Sequence, residues 1–327
     1  IDPLIVASMR RYRVRSASVG LVLALVTSLI AAAQWWGTSA GLVGGAWVSM
    51  PATWTELWTA AWSAWVPGGD GYAGGADPLA ILLALLSAPF APLGITPGAC
   101  ATFLLVASSP LAAMAAWIPS RALSASLRLR FLVSLAWAFA PALALSGTHG
   151  VLAGTLAHIA LPVFAAFCAG APRPLLVAGA SGIESAPLQP RGVNAGCAAL
   201  ALVVLSCCAP WTMPVGGIAL AWRSRRRLIV ALPALTLLLP TYGSIVAPPA
   251  AWPALASTSG GVHAYTRAPS WMALLGMPAA PSTTLEAIAL GVVSGGALVL
   301  ATVALLRSRS HPVIVAYACA LIVSAIA

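Results

Sequence analysis

Long apolar stretches alternate with short groups of arginine along this chain. Several stretches reach the roughly 20 apolar residues that a helix needs to cross the hydrocarbon core of a bilayer. Positive charge is confined to the groups between them, and none lies between Arg15 and Arg121. This pattern is typical of a polytopic membrane protein, in which basic residues mark the cytoplasmic side. We therefore predict an all-α bundle of transmembrane helices.

The pattern predicts about nine or ten spans, entered from a cytoplasmic basic segment at residues 1–16. A multi-pass membrane domain then covers residues 17–327, with outer loops at 37–95 and 242–284. The predicted spans are Val19–Trp36, Thr96–Ile118, Phe131–Ser146, Val151–Cys168, a hairpin over Gly196–Trp222 broken at Pro210 and Pro214, Leu228–Leu239, Glu286–Leu306 and a last run from Pro312. That last run is shorter than a full span and the first residue is Ile, so we expect the chain to be part of a longer protein.

The segment Asp77–Gly94 decides the predicted topology. If it crossed the bilayer, the basic group of Arg121, Arg128 and Arg130 would lie outside the cell. The positive-inside rule instead favours a re-entrant or juxtamembrane helix, which keeps this group on the same side as Arg15.

Four tryptophans in the first outer loop recur at helical spacing. Trp54, Trp58, Trp62 and Trp65 fall on one face of a predicted helix of about 16 residues. This helix is too short to span a bilayer, and Glu56 makes it too polar. It is predicted to be an amphipathic helix anchored in the outer interface, with an ordinary packed helix as the alternative.

Composition supports the membrane class. The chain is 61% hydrophobic and 7% charged, whereas a soluble domain has roughly 25% charged residues. All 16 basic residues are arginine, and the net charge is +10. Because the arginines flank apolar spans, with Tyr12 as the one aromatic residue inside their groups, they indicate membrane lipid as the partner and exclude nucleic acid. The six cysteines have no CxxC spacing and are expected to be small buried residues.

The layout resembles the GT-C superfamily of polyprenyl-phosphate-sugar glycosyltransferases. It is most similar to the multi-pass region of large actinobacterial cell-envelope enzymes, either arabinofuranosyltransferase-like proteins or family-2 glycosyltransferases with a membrane-embedded C-terminal part. The stretches that carry the resemblance are Trp62-Ser-Ala-Trp-Val-Pro-Gly-Gly, Pro110-Leu-Ala-Ala-Met-Ala-Ala-Trp before Arg121, Leu135-Ala-Trp-Ala-Phe-Ala-Pro-Ala, Ser257-Thr-Ser-Gly-Gly-Val-His-Ala-Tyr before Trp271, and the Pro-broken pair that ends at Arg223.

The resemblance implies a plasma-membrane enzyme with a cytoplasmic N-terminus, a polyprenyl-phosphate-linked sugar as donor and an envelope glycan as acceptor. Active GT-C enzymes carry an acidic residue just after the first span. Here that position reads Gln34-Trp-Trp-Gly-Thr-Ser-Ala-Gly, without an acid. Asp70 or Asp77 would then have to supply the carboxylate.

Sugar transfer from a lipid phosphate needs a general base and a positive group beside the leaving phosphate. Asp70 and Asp77 are the candidate bases, although Asp70 also fits an ordinary turn and Asp77 a helix cap. The candidate substrate-binding residues are Arg267, His263, Tyr265 and Tyr72. No metal-binding motif is present, so no cofactor is expected, and a divalent metal is left open.

Three alternatives stay open at this point. The chain could be a non-catalytic GT-C-like scaffold for a cytosolic nucleotide-sugar transferase domain of the same longer chain. It could be a transporter or lipid-carrier flippase, although pumps need ionisable residues inside their spans and few are present here. It could also be an accessory subunit that works with other membrane subunits or with an outer domain.

Overall fold

The structure, a computed structural model, describes residues 3–34, 50–63, 65–66, 72–73, 78–120, 126–148, 150–169, 191–223 and 225–246. These residues are helical except for one short strand pair and the connecting turns. The helices are α1 (Pro3–Gln34), α2 (Trp54–Ala61), α3 (Pro78–Ser87), α4 (Pro97–Val106), α5 (Ser108–Ser120), α6 (Leu127–Ala138), α7 (Pro141–Thr148), α8 (Leu152–Ala169), α9 (Arg191–Cys208), α10 (Thr212–Arg223) and α11 (Leu232–Val246). Strands β1 (Trp65–Val66) and β2 (Tyr72–Ala73) pair antiparallel.

Two helices in the described part of the chain are long and apolar enough to cross a membrane. They are Arg10–Ala33 within α1, and Leu127–Ala144, which joins α6 to the first part of α7. A bent pair, Pro78–Leu93 with Pro97–Val106, raises the number to three if it counts as one span. The apolar parts of α8, α9 and α10, and the segment Arg227–Leu239, are shorter, at 10–17 residues.

The helices pack around three apolar clusters. Leu23, Trp117 and Ala138 belong to a cluster between α1, α5 and α6. A second cluster joins α8, α9 and α10 to the start of α11, and a third joins α2, α3 and α4 to α8, α9 and α11. Close approach of the backbones depends on small residues, since a Cβ on Gly216 would lie 2.6 Å from the Leu202 side chain. Small residues at helix contacts are typical of membrane bundles.

A sharp bend follows α3, where the sequence predicts a re-entrant or juxtamembrane helix. The chain passes from α3 through a 3₁₀ turn at Ala88–Leu93, which contains Pro92, to Gly94 at φ 73°. The Thr96 hydroxyl then caps α4 by accepting a hydrogen bond from the Ala99 amide. Because proline interrupts the helical ladder and glycine accepts a left-handed φ, the two helices meet at 113°. This geometry is that of a broken span or a re-entrant loop.

Two of the predicted spans each consist of two helices, although Leu127–Ala144 still runs through one of these junctions as a single candidate span. The region Thr96–Ile118 divides at Ala107 into α4 and α5, and Phe131–Ser146 divides before Pro141 into α6 and α7. The residue before a proline disfavours the helical conformation, which explains the second break. The predicted break at Pro210 is confirmed, because this residue lies in the turn between α9 and α10. The predicted break at Pro214 is wrong, since this proline lies in the first turn of α10, where its missing amide has no helical partner to lose.

Candidate functional site

Helix α2 is a short packed helix with a well-defined start. The Thr53 hydroxyl accepts a hydrogen bond from the Glu56 amide, and the Glu56 carboxylate accepts one from the Thr53 amide, each at 3.2 Å. This capping box satisfies two amides that the first turn leaves without helical partners. Leu57 and Ala61 are buried where α2 packs on α3. The packed-helix alternative therefore describes this face of α2.

An aromatic row leads along α2 from the core to the surface. The Trp54 Nε1 donates a hydrogen bond to the Ala84 carbonyl of α3 at 2.8 Å. The Trp54 ring stacks on Trp58 at 5.5 Å between ring centroids, and Trp58 meets Trp62 edge to face at the same distance. The outermost ring, Trp62, is 44% exposed. One end of the row is thus fixed to the bundle and the other is open to a ligand or to lipid.

The outer part of this row lines an open cleft. Its described lining consists of Trp58, Thr59, Trp62 and Ser63, and its volume is about 530 Å³. Indole rings there lie beside the Thr59 and Ser63 side chains. The Thr59 hydroxyl donates to the Thr55 carbonyl at 2.9 Å, so towards the cleft it can act only as an acceptor. We name this surface the aromatic cleft. Small-molecule sites also combine aromatic rings with a few polar groups, but they enclose most of the ligand, whereas this cleft is shallow and open, so a ligand would lie against the rings.

The prediction that Trp65 shares this helical face is wrong. Helix α2 has 8 residues and ends at Ala61, with Trp62 as its C-cap. Trp65 instead opens β1, where Val66 pairs with Tyr72. Pro67 and the glycines that follow it are turn-forming residues, so they favour a hairpin over another helical turn. Regular tryptophan spacing was therefore a misleading indication of helix beyond Trp62.

Most of the predicted catalytic and substrate-binding residues lie outside the described residues. These are Asp70, Asp77, His263, Tyr265 and Arg267. The backbone of Tyr72 is described in β2. Asp70 precedes it by two positions, and Asp77 directly precedes α3 in the sequence.

Sequence reasoning missed a buried arginine that joins three helices. Arg130 of α6 is only 4% exposed. Its Nη1 donates hydrogen bonds to the Tyr12 hydroxyl at 3.3 Å and the Ser16 hydroxyl at 3.2 Å, both on α1. On α5, its Nη2 donates to the Trp117 carbonyl at 3.2 Å and its Nε to the Ser120 hydroxyl at 3.4 Å. We name this set the Arg130 network.

The aromatic ring of Trp117 completes the network. The Arg130 guanidinium lies 4.1 Å from the centroid of this ring, within cation–π range. A Cβ on Gly20 would lie 3.0 Å from the Trp117 Nε1, so the absence of a side chain there lets α1 approach the ring. No acidic residue occurs in residues 3–55 or 78–183, so none of the three helices offers a carboxylate to Arg130. Neutral hydrogen-bond acceptors and the ring solvate this charge.

A sequence signal for the buried position of Arg130 does exist. Arg130, Ser134 and Ala138 are spaced four residues apart and are all buried, whereas Arg128 is exposed. Residues two apart on a helix point to different faces, so the two arginines occupy different environments. The two small residues after Arg130 mark its face as the packed one.

The Arg130 network places two basic groups at the same end of the bundle. Tyr12 and Ser16 lie among Arg11, Arg13 and Arg15 on α1, and Arg130 contacts both of them. The topology in which Asp77–Gly94 does not cross the bilayer requires this proximity.

Labelling at two engineered cysteines tests whether the two basic groups lie on the same side of the membrane. We expect cysteines at Val14, which is 60% exposed, and at the exposed Ser126 to react with a membrane-impermeant maleimide from the same side of the membrane, in a chain whose six native cysteines are replaced. A cysteine at the buried Ser134 is the control and should stay unlabelled. Labelling of the two positions from opposite sides would contradict the placement.

His158 of α8 has a local structural partner. Its ring stacks on Trp137 of α6 at 4.3 Å between centroids. The His158 Nε2 lies 3.0 Å from the Trp137 carbonyl, and the Trp137 Nε1 donates to the His158 carbonyl at 3.3 Å. This reciprocal pair agrees with the interpretation of His158 as a helix histidine bonded to a neighbour, and it ties α6 to α8.

The described residues hold no group of three or more histidine, cysteine, aspartate or glutamate side chains that would suit a metal ion. Glu56 is the sole acidic residue among them. No protein-family model, curated protein or solved structure matches the chain.

Proposed function

We propose that this chain is the membrane region of a cell-envelope glycosyltransferase of the GT-C kind. It would transfer a sugar from a polyprenyl phosphate to an envelope glycan. The observation that carries the proposal is the aromatic cleft, in which the rings of Trp58 and Trp62 lie beside Thr59 and Ser63. A sugar presents C–H groups on its ring faces and hydroxyls at its edges, so an indole face next to hydroxyl groups matches both.

In this proposal the fold is a polytopic bundle of about nine or ten spans with a cytoplasmic N-terminus. Helix α2 lies at the outer interface, and the segment Asp77–Gly94, which contains α3, is re-entrant or juxtamembrane. The 113° bend after α3 fits this placement, although a broken span would have the same bend. The contact between Arg130 and Tyr12 supports it independently, because it keeps the two basic groups on one side.

The proposed chemistry uses carboxylates close to the aromatic cleft in the sequence. Asp70 or Asp77 removes the proton from an acceptor hydroxyl, whose oxygen attacks the anomeric carbon of the donor sugar. The bond from that carbon to the phosphate oxygen breaks, and the polyprenyl phosphate leaves as an anion. Arg267, with His263 and Tyr265, stabilises the negative charge that develops on the phosphate. Tyr72 is proposed to contact the substrate beside Asp70.

A non-catalytic scaffold for a cytosolic nucleotide-sugar transferase is the second candidate. One observation favours it. The segment just after the first predicted span, where active GT-C enzymes carry an acidic residue, reads Gln34-Trp-Trp-Gly-Thr-Ser-Ala-Gly and contains no carboxylate. A scaffold of this kind would still use the aromatic cleft, to hold the growing glycan.

Substitution in the aromatic cleft tests the proposal. We expect Trp58→Ala and Trp62→Ala each to weaken binding of an envelope oligosaccharide, because each removes a ring surface. A favourable aromatic contact is worth roughly 0.5–1.5 kcal/mol beyond its buried area, which corresponds to about two- to tenfold in affinity. The measurement is a titration of the purified full chain in detergent, and the same variants are assayed for sugar transfer.

Thr55→Ala is the matched control, since Thr55 is exposed on α2 and does not line the aromatic cleft. It should bind the oligosaccharide as the unchanged protein does. Unchanged affinity in both tryptophan variants would overturn the sugar-binding role. Lost transfer with unchanged binding would place the catalytic groups elsewhere.

A further inference from the structure

Exposed arginines dominate the basic end of the bundle. The side chains of Arg10, Arg11, Arg13 and Arg15 on α1 are exposed, as is that of Arg128 on α6. No acidic residue occurs on α1, α5 or α6 to neutralise them. An anionic partner would relieve their mutual repulsion.

Helix α1 has two distinct faces. Successive residues on a helix are about 100° apart. Tyr12 and Ser16 therefore share a face with Leu23 and Thr27, which are both fully buried. This is the face that contacts α5 and α6. The arginines are distributed around the rest of the helix, away from these contacts.

Exposed leucines continue the arginine face along α1. At the same angular spacing, Leu21, Leu25 and Leu29 fall in the sector occupied by Arg10 and Arg11. Their exposed fractions are 72%, 59% and 61% respectively. The outer face of α1 thus presents a basic turn followed directly by an apolar strip.

We propose that this face binds anionic phospholipids, with the headgroup phosphate on the arginines and the acyl chain along the leucines. Guanidinium groups bind phosphate oxygens through paired, charge-assisted hydrogen bonds. The apolar strip distinguishes a lipid from a nucleic acid or an acidic peptide, which would leave the leucines uncovered. Basic residues beside a membrane helix attract anionic lipid in this way. The inference concerns a different part of the molecule from the proposed sugar site and does not depend on it.

The Arg130 network adds positive charge beneath this lipid-binding face. The Arg130 guanidinium donates its hydrogen bonds to neutral oxygens, so its positive charge remains uncancelled by any group on the three helices. Buried in the bundle beside the basic turn of α1, it adds to the positive potential that a headgroup meets. It also fixes Tyr12 and Ser16 towards the bundle, which keeps the arginines facing outwards.

A lipid titration tests the proposal. The full chain in detergent is titrated with short-chain phosphatidylglycerol or phosphatidylcholine, and bound lipid is counted by native mass spectrometry. Each surface arginine contributes about fivefold in affinity for anionic lipid. We therefore expect at least about tenfold tighter binding of phosphatidylglycerol, and a loss of about 10²–10³-fold of that binding in the R10Q/R11Q/R13Q/R15Q variant, which lacks four such contributions.

Two controls show whether a loss of lipid binding in the glutamine variant comes from the lost charge rather than from wrong insertion or folding. The R10K/R11K/R13K/R15K variant keeps the positive charge, so it should keep most of the preference for phosphatidylglycerol over phosphatidylcholine. In the unchanged protein, added salt should weaken binding of phosphatidylglycerol far more than that of phosphatidylcholine, because salt screens exposed charges.

Three results would overturn the proposal. The first is equal affinity for the two lipids. The second is full competition by inorganic phosphate, which would indicate a site for a free anion. The third is displacement of phosphatidylglycerol by single-stranded DNA at equal phosphate concentration, which would indicate a general polyanion surface.

Discussion

We expect Asp70→Asn or Asp77→Asn to reduce sugar transfer from a polyprenyl phosphate by about 10²–10⁴-fold, the contribution that a positioned general base typically makes. Asparagine keeps the size of the side chain but cannot accept the proton of the acceptor hydroxyl. The loss should appear in kcat, while the affinity for the oligosaccharide stays near that of the unchanged protein. The measurement is a transfer assay with the full chain and a lipid-linked sugar donor.

Glu56→Gln is the matched control for these variants. Glutamine also completes a capping box with Thr53, so α2 should keep its start. The transfer rate should therefore remain unchanged even though the carboxylate of α2 is lost. Full activity in both aspartate variants would reject the proposed base and favour the scaffold function.

The aromatic cleft shows why the aspartate variants and the tryptophan variants must be measured together. Its rings are arranged by contacts that serve the fold as well as a ligand, since Trp54 bonds the Ala84 carbonyl and stacks on Trp58. A ring platform alone binds a sugar without transferring it. Binding that survives in the aspartate variants and fails in the tryptophan variants would separate the two roles.

Helical class and the main breaks were predictable from the sequence because they depend on local signals. Apolar periodicity and length predicted helices over most of the described chain, and Pro210 marked the turn between α9 and α10. The segment at Asp77–Gly94 was predicted not to cross the bilayer from charge alone. The 113° bend and the position of Arg130 beside Tyr12 are consistent with that topology.

Tertiary contacts explain what the sequence did not reveal. The spacing of Trp65 fits a helix, but pairing of Val66 with Tyr72 depends on residues that follow later in the chain. From the sequence, Arg130 is interpreted as one more arginine that marks the cytoplasmic side, because Arg128 and Arg121 lie close to it in the chain. Only the packing of α1, α5 and α6 shows that it is buried and solvated by oxygens from two other helices.

The Arg130 network leads to the second large expected effect. We expect Arg130→Ala to lower the free energy of unfolding by about 2–4 kcal/mol, as for other large-to-small changes at buried sites. Hydrogen bonds from a charged donor contribute about 1.5–3 kcal/mol net, and the four bonds of Arg130, at 3.2–3.4 Å, are long enough to place each near the lower end of that range. Reaction of the buried thiols of Cys100, Cys207 and Cys208 with a maleimide dye, followed through a denaturant titration, reports unfolding.

Arg128→Ala is the control for this variant, because it removes the same charge from an exposed position on the same helix. Its effect should stay within about ±0.5 kcal/mol, as is usual for surface substitutions. Arg130→Lys should fall between the two, since a single ammonium group cannot reach the hydroxyls of α1 and the Trp117 carbonyl of α5 at once. Equal stability of the Arg130→Ala and Arg128→Ala variants would mean that the cost of burying the guanidinium cancels its hydrogen bonds. The Arg130 network would then fix the position of α1 without stabilising the fold.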